Sequence, residues 1–282
     1  MFDVYSGILK MADCFRNDGA DLAIKYLIAE DYSELCETYN LLAIAGSNDD
    51  FCKATNLLEW ISSNIFHCGD FHNNVEDSAL KLFEYSFGKG EKCGINCRSL
   101  SLVLTECLLA IGIKARTVYI LPLSPYDGDN HVICEAWIDT MKKWIMLDPT
   151  YNLYAFHNEV CLNVLELRRF LANQADISFN DGANYNNAPI DKAEIMNYYA
   201  KNLFRFMVSS IQGSNSESIE NNKMVDIVPK GYDVKHSILA NIDYRIIKFG
   251  INENLIKWRK ETEQSKTIYK GIEFLGYFCE KS

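Results

Sequence analysis

The strongest constraint on the fold is a run of apolar residues at Leu100, Val103, Leu104, Cys107, Leu108 and Ile111. That spacing places one stripe of a helix against a core. Asn96 stands where an N-cap belongs, and Gly112 is a natural stop. Cys97 lies three residues before Leu100, so it falls on the buried stripe in the first turn. Backbone N–H groups there have no intrahelical acceptor and face the sulfur.

Three strands are predicted after this helix. Lys114 to Leu121 alternates, with Ala115, Thr117, Tyr119 and Leu121 on one side. Pro122 to Asn130 is rich in Pro, Asp and Gly and reads as a loop. His131 opens the strand His131 to Ile138, and Asp148 closes the strand that starts at Trp144. A tight antiparallel hairpin turning at Asp139-Thr140 sets His131 opposite Asp148, Ile133 opposite Met146 and Glu135 opposite Trp144. Val132, Cys134, Ala136, Ile138, Ile145 and Leu147 then form the core face. His131 and Asp148 sit side by side on the face away from it, with Glu135 expected in solvent. A slip of one residue would separate them.

A thiol at a helix start, with an imidazole and a carboxylate on paired strands, is the layout of a cysteine nucleophile with its base and orienter. Cys97 takes the first role, His131 the second and Asp148 the third. The helix N-terminus and a neighbouring imidazolium both favour the thiolate. Asp148 bonded to one ring nitrogen fixes the tautomer, so that the other meets the sulfur. The N–H of Cys97 is a ready oxyanion donor. Such a site forms an acyl-thioester and passes the acyl group to water or an amine.

Bulk properties narrow the partners. The 282 residues are 48% hydrophobic and 23% charged, an ordinary globular profile with enough chain for a sizeable core. The formal net charge of -10 argues against nucleic acid and against anionic lipid surfaces. No stretch approaches a membrane span and the N-terminus lacks a basic leader, so the chain is expected to be soluble and cytoplasmic. Its cysteines form no CxxC pair and no four-ligand zinc spacing, and are expected to be reduced. Neither metal nor cofactor is called for. His67, Cys68, Asp70 and His72 cluster in sequence, but their spacing matches no standard metal site. Cys93 is expected to be a free loop thiol.

Elsewhere, helices are expected over Asp21 to Leu27, Tyr32 to Ala45, Phe51 to Phe66 and Val75 to Phe87. Others are expected over Asn163 to Ala172 and Lys192 to Ile211. Asn173 to Pro189 and Gln212 to Lys223 read as loops. Met224 to Val228, Ile238 to Phe249 and Leu255 to Glu261 read as short apolar elements, and Thr267 to Phe278 as strand-like. Residues 1–155 are expected to hold helices plus a catalytic core, and 156–282 a C-terminal extension packed on the same domain. Substrate selection and a lid are reasonable roles for that extension.

Four segments resemble the transglutaminase-like superfamily, a papain-like α+β fold in circularly permuted order. They are Gly94-Ile95-Asn96-Cys97 opening a helix, Gly112-Ile113-Lys114-Ala115-Arg116 leading to a strand, His131 before a strand containing Trp137, and Trp144-Ile145-Met146-Leu147-Asp148-Pro149-Thr150. The resemblance spans roughly residues 55 to 152. It implies a nucleophile helix packed on an antiparallel sheet and the same roles for Cys97, His131 and Asp148. The implied substrate is a peptide or protein amide, with hydrolysis preferred over cross-linking. The family also includes cross-linking transglutaminases, peptidases, peptide N-glycanases and inactive scaffolds. Calcium is not carried over, because the chain has no room for the extra β-domains of the animal enzymes. Trp60 and Tyr85 lie upstream where a second oxyanion donor would be sought, although an aromatic in a helix is more often core. Tyr151, Tyr154 and Phe156 either line a cleft or pack in the core. Arylamine N-acetyltransferases share the triad order, but their pattern around the nucleophile differs from Cys93-Gly94-Ile95-Asn96-Cys97-Arg98-Ser99. Acetyl transfer and a non-catalytic binding scaffold are the alternatives.

Overall fold

The computed structural model describes residues 1–16, 22–28, 32–213, 220 and 222–277. It is mixed α+β, as the transglutaminase-like reading requires. The chain runs α1 (Phe2–Met11), β1 (Lys25–Tyr26), α2 (Ser33–Tyr39), α3 (Leu41–Ala45), α4 (Asp50–Asn64), α5 (Ala79–Ser86) and α6 (Cys97–Ala110). The central strands follow as β2 (Ala115–Leu121), β3 (His131–Ile138) and β4 (Lys143–Leu147). Then come β5 (Ala155–His157), β6 (Val160–Cys161), α7 (Val164–Ala172), β7 (Ser178–Phe179), β8 (Asn184–Tyr185), β9 (Ala188–Pro189) and α8 (Lys192–Asn202). The chain continues through β10 (Arg205–Ser209), β11 (Ile211–Gln212), β12 (Met224–Ile227), α9 (Val234–Phe249), α10 (Glu253–Gln264) and β13 (Ile268–Tyr269).

The main sheet has the order β13-β12-β10-β2-β3-β4. Both of its faces are covered. One, carrying Cys134, Ala136, Ile145 and Leu147, packs with α6 and the helices before it. The other, carrying Val118, Ile120, Ile133 and Met146, packs under α1, α7 and α8. The sequence pattern marks only the first of these as a core face. The reason is physical: period-2 alternation marks one apolar face, and the residues that cover the other come from helices later in the chain.

The β3–β4 register also differs. Trp137 pairs with Trp144 and Ile138 with Lys143, so four residues, Asp139 to Lys142, make the turn. Lys142 adopts the left-handed conformation there, at φ 50°. The register therefore shifts by two residues from the two-residue turn expected. An even shift preserves facing, so His131 and Asp148 keep a common face although they are no longer opposed.

Other expectations fail locally. Lys25 and Tyr26 pair with Ile211 and Gln212 as a parallel strand instead of continuing a helix; a short apolar run does not distinguish the two periods. The helix expected over Tyr32 to Ala45 breaks at Asn40, which sits at φ 50°. Ser78 caps α5, so the helix starts later than Val75. Lys192 to Ile211 splits after Leu203 into α8 and β10, where Phe206 and Val208 alternate inward. Asn173 to Pro189 contains three short strands. Thr267 to Phe278 contributes only β13 and a single 3-10 turn at Ile272–Leu275, and Phe278 lies outside the described residues. No helix among the described residues is long and apolar enough to cross a membrane.

Candidate active site

Cys97 opens α6 behind its cap, the Asn96 side chain, which accepts the N–H of Ser99 at 3.0 Å. Gly94 explains how this loop lies where it does. A Cβ there would meet the Cys68 Cβ at 2.8 Å and the Phe66 carbonyl at 3.0 Å. The close approach lets Ile95 donate to Phe66 and accept from Cys68, at 3.0 and 2.9 Å. One turn into the helix, Ser101 donates to the buried carbonyl of Val132 at 2.8 Å. That bond ties the Cys97 helix to the residue after His131.

His131 and Asp148 are both buried, with His131 Nε2 at 2.6 Å from Asp148 Oδ2. Tyr199 donates its O–H to the same oxygen at 2.6 Å, and the N–H of Thr150 reaches Oδ1 at 2.9 Å. Since Nε2 is taken, Nδ1 is left for the Cys97 thiol, with which His131 shares a hydrogen bond. The three residues picked from sequence thus come together.

Burial pushes the Cys97 thiol up. Hydrogen bonds from His131 and His67, the His131 charge and the N–H of Val132 outweigh it and bring the thiol down to about 6. Burial likewise opposes charge on His131, but Asp148 and the Cys97 sulfur raise it to about 10. Between those values the pair is thiolate and imidazolium.

A cleft of about 350 Å3 opens over this pair, lined by His67, Asn96, Cys97, Asp129, Tyr151 and Tyr198 among others. Three tyrosine rings surround the imidazole, with Tyr151, Tyr198 and Tyr199 centred 5.8, 5.4 and 6.3 Å from it. The loop before His131 is held by α8: Lys201 bridges Asp127 and Asp129 at 3.2 and 2.7 Å. Tyr198 also reaches Asp129, at 3.3 Å.

Sequence reasoning missed His67, Tyr198 and Tyr199 as site residues. His67 stood in the run His67, Cys68, Asp70 and His72, weighed only for metal binding and set aside on its spacing. Nothing local marks the two tyrosines; they are ordinary residues of an amphipathic helix. Of the residues weighed for a cleft, Tyr151 lines it, whereas Tyr154 and Phe156 pack against the helical core. Trp60 packs on Phe83 and Phe87 and Tyr85 on Phe71, and neither lines the cleft. Glu135, expected in solvent, is fully buried. It binds Arg116 Nε and Nη2 at 2.9 and 2.6 Å, the N–H of Val164 at 2.9 Å and the Tyr277 hydroxyl at 2.7 Å.

Residues 39–149 match the transglutaminase-like superfamily. That segment, 111 of the 282 residues, is what the chain has in similarity to that superfamily. Cys97, His131, Asp148 and His67 all lie inside the matched segment, whereas Tyr185, Asn186, Tyr198 and Tyr199 lie beyond it. Among solved structures the chain is similar to a proposed cysteine protease from Cytophaga hutchinsonii, at 16% identity and a TM-score of 0.33. The similarity covers 53% of this chain and 49% of that one, about half the length of each. No curated protein matches the chain.

Proposed function

We propose that the transglutaminase-like core works as a cysteine-dependent amidase that releases the acyl group to water, with a peptide or protein as substrate. The observation that carries this reading is the Cys97 thiol beside an imidazole held by Asp148 at 2.6 Å. The thiolate attacks the amide carbonyl, a C–S bond forms and the carbonyl π pair moves to oxygen. On collapse the C–N bond breaks, and the His131 imidazolium gives its proton to the leaving nitrogen. The neutral imidazole then takes a proton from water, which attacks the thioester and expels the sulfur.

Two features support acyl transfer at this cysteine in particular. Cys107 and Cys134 are buried in the core and burial pushes both thiols up, so they do not compete as nucleophiles. Among the described cysteines, only the Cys97 sulfur combines a helix N-terminus, two imidazoles and an open cleft. Water is preferred as the acceptor because the cleft is open and nothing among its described residues marks an amine site.

The test is a peptide library digested with wild-type protein and with Cys97→Ala, products read by mass spectrometry. Cleavage by the wild type, with a trapped acyl adduct on Cys97 and none in the variant, is the expected result. Turnover retained by Cys97→Ala would overturn the reading. Added amines that divert the acyl group in place of water would convert it from hydrolase to transferase.

A further inference from the structure

His67 is the second imidazole at the Cys97 sulfur, and its placement is unusually well determined. Its backbone bridges to Ile95, two residues before the nucleophile. From the other side, the β8–β9 hairpin grips it. At the hairpin tip, Asn186 accepts the His67 N–H at 2.8 Å and donates to its carbonyl at 3.1 Å, a two-point clamp. Asn186 and Asn187 hold left-handed conformations, φ 51° and 65°, as a tight two-residue turn requires. The adjacent Tyr185 hydroxyl lies 3.0 Å from His67 Nδ1. With Nδ1 engaged, Nε2 is the nitrogen left for the sulfur. A bare nitrogen lone pair facing a thiolate is repelled, so the tautomer that fits carries its proton on Nε2 and takes the Tyr185 O–H on Nδ1.

We infer that His67 is the second oxyanion donor of the site, a residue held in position by Tyr185 and Asn186 from outside the superfamily core. This rests on the acyl-transfer reading above. When the thiolate adds to a carbonyl, negative charge develops on the oxygen bonded to the carbon now attached to Sγ. Two N–H groups would meet that oxygen: the backbone N–H of Cys97 at the start of α6, and Nε2–H of His67, which lines the same cleft. No proton moves from His67 in this step; it donates a hydrogen bond that strengthens as charge accumulates. His131 remains the proton carrier.

Alkylation and acylation separate this role from thiolate formation. Iodoacetamide reacts by displacement at carbon and builds no oxyanion; p-nitrophenyl acetate must pass through a tetrahedral oxyanion to acetylate Cys97. Both rates are measured on wild type, His67→Ala, His67→Gln and Tyr185→Phe, at the pH plateau where Cys97 is fully ionised in each. For His67→Ala the expected result is acetylation slowed about 100-fold, with plateau alkylation little changed. His67→Gln, which can present an N–H, recovers part of the loss, and Tyr185→Phe loses less than His67→Ala. An unchanged acetylation rate in His67→Ala overturns the inference, as does an equal fall in both reactions, which would mark a merely structural residue. Wild-type protein whose Cys97 alkylates rapidly but is never acetylated would defeat the acyl-transfer reading itself, and the role of His67 with it.

Discussion

Tyr199 and His131 converge on a single oxygen of Asp148, each at 2.6 Å, although Tyr199 comes from α8 and His131 from β3. The carboxylate is fully buried, so each donor it loses leaves charge without compensation. Tyr199→Phe is expected to cost about 1.5–3 kcal/mol, the range for hydrogen bonds to charged groups. Urea unfolding should show a lower midpoint at constant slope.

The reactivity of Cys97 should follow its thiolate. Iodoacetamide labelling at this residue, read peptide by peptide, is expected to rise through about pH 6 in the wild type. In His131→Ala the hydrogen bond and the charge that lower the thiol are gone while burial persists, so the rise moves toward or above the ordinary thiol range. A profile unmoved by His131→Ala would rule out the pair.

The same pair makes a distinctive contribution to stability. Cys97 is lowered on folding, so its contribution grows as pH rises from about 6 toward the ordinary thiol value of 9.0. His131 is raised, so its contribution is complete below 6.5 and fades as pH rises through about 10. Between 6.5 and 9.0 the folded pair and the unfolded pair each bind one proton, and the two slopes cancel. Any slope in that window belongs to other groups.

Glu106 is one such group. It is buried in α6 with one oxygen on the N–H of Ala79 at 2.8 Å and the other without a partner. Burial raises its carboxyl to about 8 from 4.5, so the folded state binds a proton that the unfolded state has released. Stability is expected to fall as pH climbs from 4.5 to about 8, by on the order of 3 kcal/mol at pH 7. Glu106→Gln should flatten that slope in urea titrations at pH 5 and pH 8. An equal slope in the variant would count against this assignment.

Arg116 and Glu135 form a buried ion pair that also reaches the C-terminal segment, through the Leu275 carbonyl and the Tyr277 hydroxyl. Arg116→Met removes one charge and strands the other, at an expected cost of about 3–5 kcal/mol. Arg116→Met with Glu135→Leu removes both charges and should recover much of that loss. Two single variants and the double, unfolded in urea, check the coupling.

The parts of the site that were legible in the sequence are those whose determinants are local. Asn96 before an apolar stripe marks the helix start, and alternation marks β2, β3 and β4 as strands. The facing of His131 and Asp148 survived a wrong register because only parity decides the face. What was not legible depends on segments far apart. Glu135 looked solvent-bound because Arg116, Val164 and Tyr277, which satisfy it, lie on three other segments. His67 lies 119 residues from the Asn186 that grips it, and no short-range pattern carries that contact. The split of α8 from β10 was hidden for a related reason: strand pairing with β2 and β12, not propensity, decides where the helix ends.

The hairpin clamp on His67 also bears on how this chain comes into being. During synthesis the Cys97 helix and the strands of His131 and Asp148 emerge well before Tyr185, Asn186 and Tyr199. Until those residues arrive, His67 lacks its clamp and Asp148 lacks one of its donors. Contacts of such long sequence separation form late in folding, because the intervening chain must first be ordered. The Cys97 site is therefore complete only when the chain has folded back over it.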